Sequence, residues 1–376
     1  MQEIQLEENS QLLFLGDFLY DYGYLNPDII EISSWVRENN YCTVLNLESP
    51  LVKSDNLINK RGPHLSQSDL TIEILNRLNV ICVCLANNHI FDYGWDAFKK
   101  TIQLLEENAI HYIGAGKNQD SAAVPFLIRF KNGKEIILTN YGWEVEETKI
   151  ALDDNFGCNS RDDEWVIECT SNLRAQFPKS YIVNIFHWGF EFNRYPMPYD
   201  ISLAHKSIES GADLIIGHHP HCIQVKESYN KKLIYYSLGN FYFGSLRDTF
   251  NQQDRKKRYI CDTGLMVILD VSDYSTHERI IRYERESFLS IIDEKYPFLD
   301  NISGIDYDSE SYKNFAQENA FKINPILSSN KETADRQLKK LKQQYKIAYL
   351  LKFLQKTPLG TTIYNFTKII AKRLNK

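Results

Sequence analysis

Residues that can bind a metal ion follow several apolar segments of the chain. Three histidines, His218, His219 and His221, lie within four positions directly after the apolar segment LIIG, which begins at Leu214. The chain has only nine histidines, and five of them follow segments of this kind. Because imidazole nitrogens are common ligands of transition metals, this concentration of histidines indicates a metal centre.

The same pattern recurs after four other apolar segments. Asp17 lies in FLGDF, Glu48 in LNLESP, Asn88 and His89 in ANNHIFDYG, and His187 in FHWGFE. One such residue taken alone is more often a turn or capping residue than a ligand. Five ligand-bearing strand ends in one chain instead predict that these side chains share a site.

The ligand types indicate which metals the site would bind. Carboxylate, amide oxygen and imidazole, with Cys222 the one cysteine in these loops, favour Mn²⁺, Fe²⁺ or Zn²⁺ over Ca²⁺. We expect one or two divalent transition-metal ions. A carboxylate such as Glu48 can bridge a pair roughly 3.5–4 Å apart, which would clamp an oxyanion and activate a water.

The apolar segments that precede these residues have the length and composition of buried strands, and amphipathic segments between them predict helices. This alternation predicts an α/β fold with mostly parallel strands, whose carboxyl ends gather at one rim. The predicted strands are 11–18, 41–48, 80–89, 181–189 and 213–221, and the predicted helices begin at Pro27, Ser68, Trp95 and Asp200.

The pattern changes from Phe126, where two alternating apolar segments flank Asn132 and Gly133, which is a strong hairpin signal. Further strand-like segments without long helices between them predict a second, largely antiparallel sheet packed against the first. Beyond about Ser309 the sequence becomes helical. We therefore predict a domain over residues 1–295 and a helical, basic extension over residues 296–376.

Charge is distributed unevenly along the chain. The formal net charge is −6, yet residues 331–376 carry 12 Lys or Arg against Glu332 and Asp335. Such a basic, amphipathic segment predicts peripheral contact with an anionic membrane or docking on the acidic body. The acidic body argues against nucleic-acid binding. We see no signal peptide or membrane-spanning segment, and the odd number of cysteines indicates no disulfide framework, so we expect a cytoplasmic protein.

These motifs, taken together, resemble the CapA-type bacterial capsule synthesis proteins, named for poly-γ-glutamate capsule formation, within the calcineurin-like metallophosphoesterase superfamily. The resemblance implies a two-sheet sandwich flanked by helices, with metals at the rim. The motifs occur in the family's order: GD at 16–17, NLESPL at 46–51, ANNHIFDYG at 86–94, HWGFE at 187–191, GHHPH at 217–221 and SLGNF at 237–241.

The resemblance also implies roles for individual residues. His89 would be the acid that protonates the leaving group. Glu48 stands where phosphoesterases have a bridging aspartate. The implied metal ligands are Asp17, Glu48, Asn88, His187, His219 and His221, and whether His218 is also a ligand stays open.

One departure from the phosphoesterase pattern concerns the first strand. Phosphoesterases have Asp-x-His there, whereas Phe18 and Leu19 follow Asp17 in this chain. One metal position therefore lacks a ligand, and it would be weak or empty. Phosphatase activity does not follow from the fold alone.

The function predicted from the sequence is that of a metal-dependent hydrolase in capsule or cell-surface polymer biosynthesis. Its substrate would be a phosphoester or an anionic polymer with γ-glutamyl amide bonds. The alternative is a non-enzymatic assembly or polymer-binding subunit in which the metal only shapes the loops. For four further residues, the sequence is compatible with a role in the site and with an ordinary loop role: Asp92, Glu191, Arg61 and His64.

Overall fold

The structure is a computed structural model, and it describes residues 1–21, 23, 27–60, 62–144, 147–191, 193, 195–244, 263–282 and 290–292. All of them belong to the first of two units, Met1–Ala316. The second unit, Gln317–Lys376, lies outside the described residues, and so does all of the predicted helical extension, residues 296–376. The domain boundary and the membrane contact of residues 331–376 stay predictions.

The described residues form seventeen strands and six helices. In chain order they are β1 (Gln2–Leu6), β2 (Gln11–Leu19), α1 (Pro27–Glu38), β3 (Tyr41–Leu47), α2 (Thr71–Arg77), β4 (Val80–Cys84), α3 (Gly94–Glu107), β5 (His111–Ile113), β6 (Ala115–Gly116), α4 (Gln119–Ala122), β7 (Phe126–Phe130), β8 (Glu135–Gly142), β9 (Gly157–Cys158), α5 (Asp163–Gln176), β10 (Tyr181–His187), α6 (Pro198–Glu209), β11 (Leu214–His218), β12 (Lys226–Tyr229), β13 (Lys232–Tyr235), β14 (Asn240–Phe243), β15 (Thr263–Leu269), β16 (Thr276–Arg282) and β17 (Ser290–Ile292).

These strands form two large sheets and one small one. Sheet A has the order β1-β7-β8-β10-β11-β13-β12, and sheet B the order β17-β16-β15-β2-β3-β4-β5, with β14 also paired to β2. Strands β6 and β9 form the small sheet. In sheet A, β8, β10, β11 and β13 run parallel, and in sheet B, β2, β3, β4 and β5 do so. The antiparallel pairs lie toward the edges.

The two large sheets pack face to face over a shared apolar core. Phe14 and Val44 of sheet B belong to the same buried cluster as Val183 and Ile216 of sheet A. Each sheet therefore buries its inner face against the other sheet, as stacked sheets do. The carboxyl ends of the parallel strands of both sheets border this core.

Helices cover the outer face of each sheet. Ile29 of α1 and Phe98 of α3 pack with the outward-facing side chains of sheet B. On the other side, Val166 of α5 and Ile201 of α6 pack with Phe186 and its neighbours in sheet A. The layers are therefore helix, sheet, sheet and helix, and the predicted α/β two-sheet sandwich is confirmed.

The predicted hairpin is confirmed, but the prediction of a separate antiparallel sheet is wrong. Strands β7 and β8 pair antiparallel, yet β8 also pairs in parallel with β10, from Tyr181 opposite Ile136 onward. Strand β15 likewise joins the parallel strand β2 of sheet B, with Val267 opposite Phe14. Both sheets are mixed because each antiparallel segment extends an edge of a parallel one. Within the described residues, no helix has the length and apolarity needed to cross a membrane.

Candidate metal centre

Asp17 enters the site from β2 at a point of close backbone approach. A Cβ atom at Gly16 would lie 1.9 Å from the carbonyl oxygen of Gly239, so no larger residue fits there. The Asp17 N–H donates to that same carbonyl at 2.9 Å, and the register of β2 against β3 shifts between Phe14 and Asp17. The Gly-Asp pair thus fixes a fully buried carboxylate between the sheets.

The second carboxylate, Glu48, follows β3 and is held beside the first by an amide. Asn46 Nδ2 donates to Asp17 Oδ1 at 2.8 Å and to Glu48 Oε2 at 2.6 Å. Asn87 fixes this amide in turn, because its Nδ2 donates to Asn46 Oδ1 at 3.0 Å. Two wholly buried carboxylates are therefore held side by side, an arrangement that is costly without a compensating cation.

Sheet A supplies the histidines. His187 ends β10 and lies in register with His218, which ends β11. The chain then turns sharply, with φ of 96° at His219 and 54° at His221, values that non-glycine residues rarely adopt. The His219 N–H donates to Asp17 Oδ2 at 3.2 Å, so this loop crosses from sheet A to the carboxylates of sheet B.

Three of these residues have the geometry of a metal site. One ligand atom each from Asp17, Glu48 and His187 lie within 4.8 Å of one another, and all three side chains are buried. Glu48 Oε1 and His187 Nδ1 have no hydrogen-bond partner among the described residues. Because buried polar atoms are normally paired, unpaired atoms on two residues of the cluster fit the binding of a divalent cation.

Asn88 and His221 complete the surroundings of this cluster. His187 Nε2 lies 3.0 Å from Asn88 Oδ1. The two ring nitrogens of His221 face the two carboxylates: Nδ1 is 3.3 Å from Asp17 Oδ2, and Nε2 is 3.9 Å from Glu48 Oε1. The ring of His219 stands 4.7 Å from that of His187, centroid to centroid. The structure therefore brings all six predicted ligands together, and their coordination of a metal stays a prediction.

The charges within the cluster also favour a cation. Burial, and the neighbouring charge of Asp17, hold the pKa of Glu48 well above its usual range. Burial opposes the charge of His221, but the hydrogen bond and charge of Asp17 outweigh it and raise its pKa to about 10. Burial lowers the pKa of His219 to about 4 and that of His187 well below its usual range. Neutral imidazoles keep a lone pair for coordination. The proton on His221 offsets the charge of Asp17, as a bound cation would.

His89 lies beside the cluster with a partner of its own. Its Nδ1 lies 2.8 Å from Asp92 Oδ2 and 2.7 Å from Lys60 Nζ, and Lys60 forms an ion pair with Asp92. The Leu65 N–H also donates to Asp92 Oδ2, at 2.7 Å. Because Nδ1 faces these two groups, Nε2 is the nitrogen of His89 left for other contacts.

Sequence reasoning missed three polar residues that position the site, namely Lys60, Asn46 and Asn240. Asn240 Oδ1 lies 2.9 Å from His221 Nδ1, which sets the direction of that ring. Such partners of ligands matter because they fix tautomer and orientation. Asn46 and Asn240 both sit inside motifs already singled out, LNLESP and SLGNF, and those positions were the available signal.

The four residues whose roles the sequence left open differ in their surroundings. Asp92 is a partner of His89, whereas Glu191 is exposed but close enough for its charge to act on Glu48. His64 Nε2 lies 2.8 Å from the Ile58 carbonyl oxygen, which accounts for its position without a ligand. Arg61 lies outside the described residues.

Replacement of Lys60 is expected to destabilise the fold. The side chains of Lys60 and Asp92 are 3% and 0% exposed, so Lys60→Met leaves a buried charge without its main partner. We expect the free energy of unfolding to fall by roughly 3–5 kcal/mol in urea titrations. Lys99→Met is the matched control, because the Lys99–Asp96 pair is more than half exposed and should change stability by less than about 1 kcal/mol. Equal losses for the two variants would show that burial of the Lys60 pair has no special effect.

Comparison with known proteins identifies the family. Residues 11–245, which include every motif and every site residue described above, match the family described as bacterial capsule synthesis protein PGA_cap. This match covers more than half of the chain. The chain belongs to the PGA_cap family. The candidate metal centre of this PGA_cap protein therefore lies within the part of the chain that matches the family.

Individual relatives of this PGA_cap protein carry capsule-related names. The chain is 30% identical to the capsule biosynthesis protein CapA of Bacillus anthracis, over 56% of this chain and 52% of that protein. It is 29% identical to the PGA biosynthesis protein CapA of Bacillus subtilis (strain 168), over 59% of this chain and 56% of that protein. The chain spans about half the length of the curated relatives it matches.

Among solved structures, a 5'-nucleotidase precursor from Thermus thermophilus aligns with 75% of this chain and 53% of its own. The sequence identity is 11% and the TM-score is 0.42. A likeness at this level supports no conclusion about the site or its chemistry.

Proposed function

We propose that this PGA_cap protein is a metal-dependent hydrolase that acts in the biosynthesis of an anionic capsule or cell-surface polymer. The observation that carries the proposal is the buried cluster of Asp17, Glu48 and His187, in which carboxylate and imidazole atoms converge without enough partners of their own. Buried charged groups gathered at a loop rim are rarely kept for stability alone.

The residues that would hold the metal are those gathered between the two sheets, and Mn²⁺, Fe²⁺ and Zn²⁺ all suit the set. A divalent cation at this position supplies Lewis-acid polarisation of the oxygen on the scissile group. The proposed ligands are Asp17, Glu48, Asn88, His187, His219 and His221. The set would hold one or two ions, a number that elemental analysis counts.

His89 is the proposed proton donor to the leaving group. Asp92 and Lys60 both face its Nδ1, which fixes the ring and leaves Nε2 to serve a substrate. A side chain oriented in this way by a carboxylate is the usual arrangement of a histidine in acid–base catalysis. Asn88, the residue before His89, contacts His187. The proposed proton donor is therefore adjacent in the chain to a proposed metal ligand.

The proposed substrate class is an anionic polymer, with a γ-glutamyl amide or a phosphoester as the bond that is cleaved. Membership of the PGA_cap family and the name of the Bacillus subtilis relative support the polymer. Both bonds have an oxygen that a cation can polarise and a leaving group that accepts a proton. The two bonds can therefore be compared in one set of assays.

The test is turnover of two chromogenic substrates, bis-p-nitrophenyl phosphate and γ-glutamyl-p-nitroanilide, with Mn²⁺, Fe²⁺ or Zn²⁺ in excess. We expect metal-dependent turnover of one of them, lost in His187→Ala and retained in His277→Ala, which removes an exposed histidine of β16. If the metal-loaded protein hydrolyses neither substrate nor poly-γ-glutamate itself, the non-enzymatic assembly role replaces the hydrolase.

A further inference from the structure

We propose that His218 is a metal ligand that shares an ion with Asp17. The inference rests on the metal centre of the proposed function, and it deepens that proposal by adding a ligand. It places an imidazole beside Asp17, whereas Phe18 and Leu19, the residues that follow Asp17 in the chain, offer none.

Strand alternation turns His218 toward the space between the sheets. Leu214 and Ile216 of β11 belong to the core between the two sheets, whereas Ile215 faces the helices. His218 continues the inward series, because alternate residues of a strand share a face. Its partner in the ladder, His187, is already part of the metal cluster.

The distance between His218 and Asp17 fits coordination better than a hydrogen bond. His218 Nδ1 lies 3.5 Å from Asp17 Oδ1, which is long for a hydrogen bond. Two atoms bound to one ion with bonds of 2.0–2.2 Å stand about 3.0–3.5 Å apart, depending on geometry. His218 is 2% exposed, and its Nδ1 has no hydrogen-bond partner among the described residues.

Other residues near Asp17 do not occupy the position of His218 beside Asp17 Oδ1. The Asp17 Oδ2 atom already accepts from the His219 N–H, and His221 Nδ1 lies closer to Asn240 than to Asp17. Phe18, the next residue of β2, is buried against Phe241 in an aromatic cluster. His218 thus approaches Oδ1, the oxygen that Asn46 also contacts, from the side of sheet A.

The test uses Co²⁺ as a spectroscopic substitute and two variants of position 218. His218→Leu removes the ligand but keeps an apolar side chain in the core. His218→Cys replaces one ligand type with another. Metal affinity is measured by calorimetric titration of Mn²⁺, and coordination by the absorption spectrum of the Co²⁺-loaded protein. Circular dichroism melting confirms the fold of each variant, and His277→Ala serves as the control.

We expect His218→Leu to lose one bound ion, or to bind it about tenfold or more weakly, with His277→Ala unchanged. His218→Cys should retain the ion and gain a thiolate-to-cobalt charge-transfer band that the wild-type protein lacks, which a structural role for His218 would not produce. Unchanged affinity in His218→Leu together with no new band in His218→Cys would overturn the proposal, as would a wild-type protein that binds no ion. Because neither readout uses turnover, an inactive protein that binds metal contradicts the proposed function alone.

Discussion

His89→Gln is expected to lower turnover by roughly 10²–10⁴-fold, the usual contribution of a positioned proton donor, while metal content stays that of the wild type. Glutamine keeps a polar group near Asp92 and Lys60 but has no proton to give to a leaving group. The measurement is kcat on the substrate that the wild-type protein hydrolyses, beside elemental analysis of the same samples.

The matched variant for this prediction is Asp92→Asn, which leaves His89 in place but weakens both the contact that orients it and the buried ion pair with Lys60. We expect a smaller loss of turnover than in His89→Gln, again without loss of metal. A fully active His89→Gln would show that another group donates the proton. Loss of metal from His89→Gln would make it a ligand instead.

Removal of the metal is expected to lower stability as well as activity. Without a cation, Asp17 depends on Asn46 and on the charge of His221 for compensation, and Glu48 depends on Asn46 and on a proton of its own. An ion present at 100 times its dissociation constant stabilises the folded state by about 2.7 kcal/mol. For a domain of about 300 residues, the melting temperature should therefore fall by roughly 4–5 °C on chelation, and metal-dependent turnover should be lost.

The control for chelation is the double variant Asp17→Asn, His187→Ala. It lacks two of the three residues of the central cluster, so its melting temperature should not respond to chelator or to added Mn²⁺. An equal shift in the variant and the wild-type protein would place the stabilising ion elsewhere. No shift in either would mean that the cluster is stable without an ion.

Sequence reasoning found the residues of the site because of one geometric rule. The carboxyl ends of parallel strands meet at one rim, so Asp17, Glu48 and His187 could be grouped from their positions after apolar segments. The rule predicts convergence within a sheet. It does not predict that Asp17 and Glu48 come from sheet B while His187 comes from sheet A, because that depends on how the sheets pack.

The residues that sequence reasoning missed act through contacts distant in the chain. Lys60 lies in a loop without regular structure, and its contact with His89 spans 29 positions. Asn240 reaches His221 because β14 pairs with β2, a parallel pairing that no local pattern indicates. Helix α5 is also absent from the predicted helices. In this case a local signal was present, because the Asp162 side chain caps the helix by accepting from the Glu164 N–H.

The metal centre is tested by the metal content of the purified protein after loading with Mn²⁺ and dialysis. We expect one to two ions per chain by elemental analysis in the wild-type protein. We expect substantially less than the wild-type amount in the double variant Asp17→Asn, His187→Ala, measured under the same conditions. A wild-type protein that retains no more metal than this folded double variant would contradict the metal centre on which the proposed function depends.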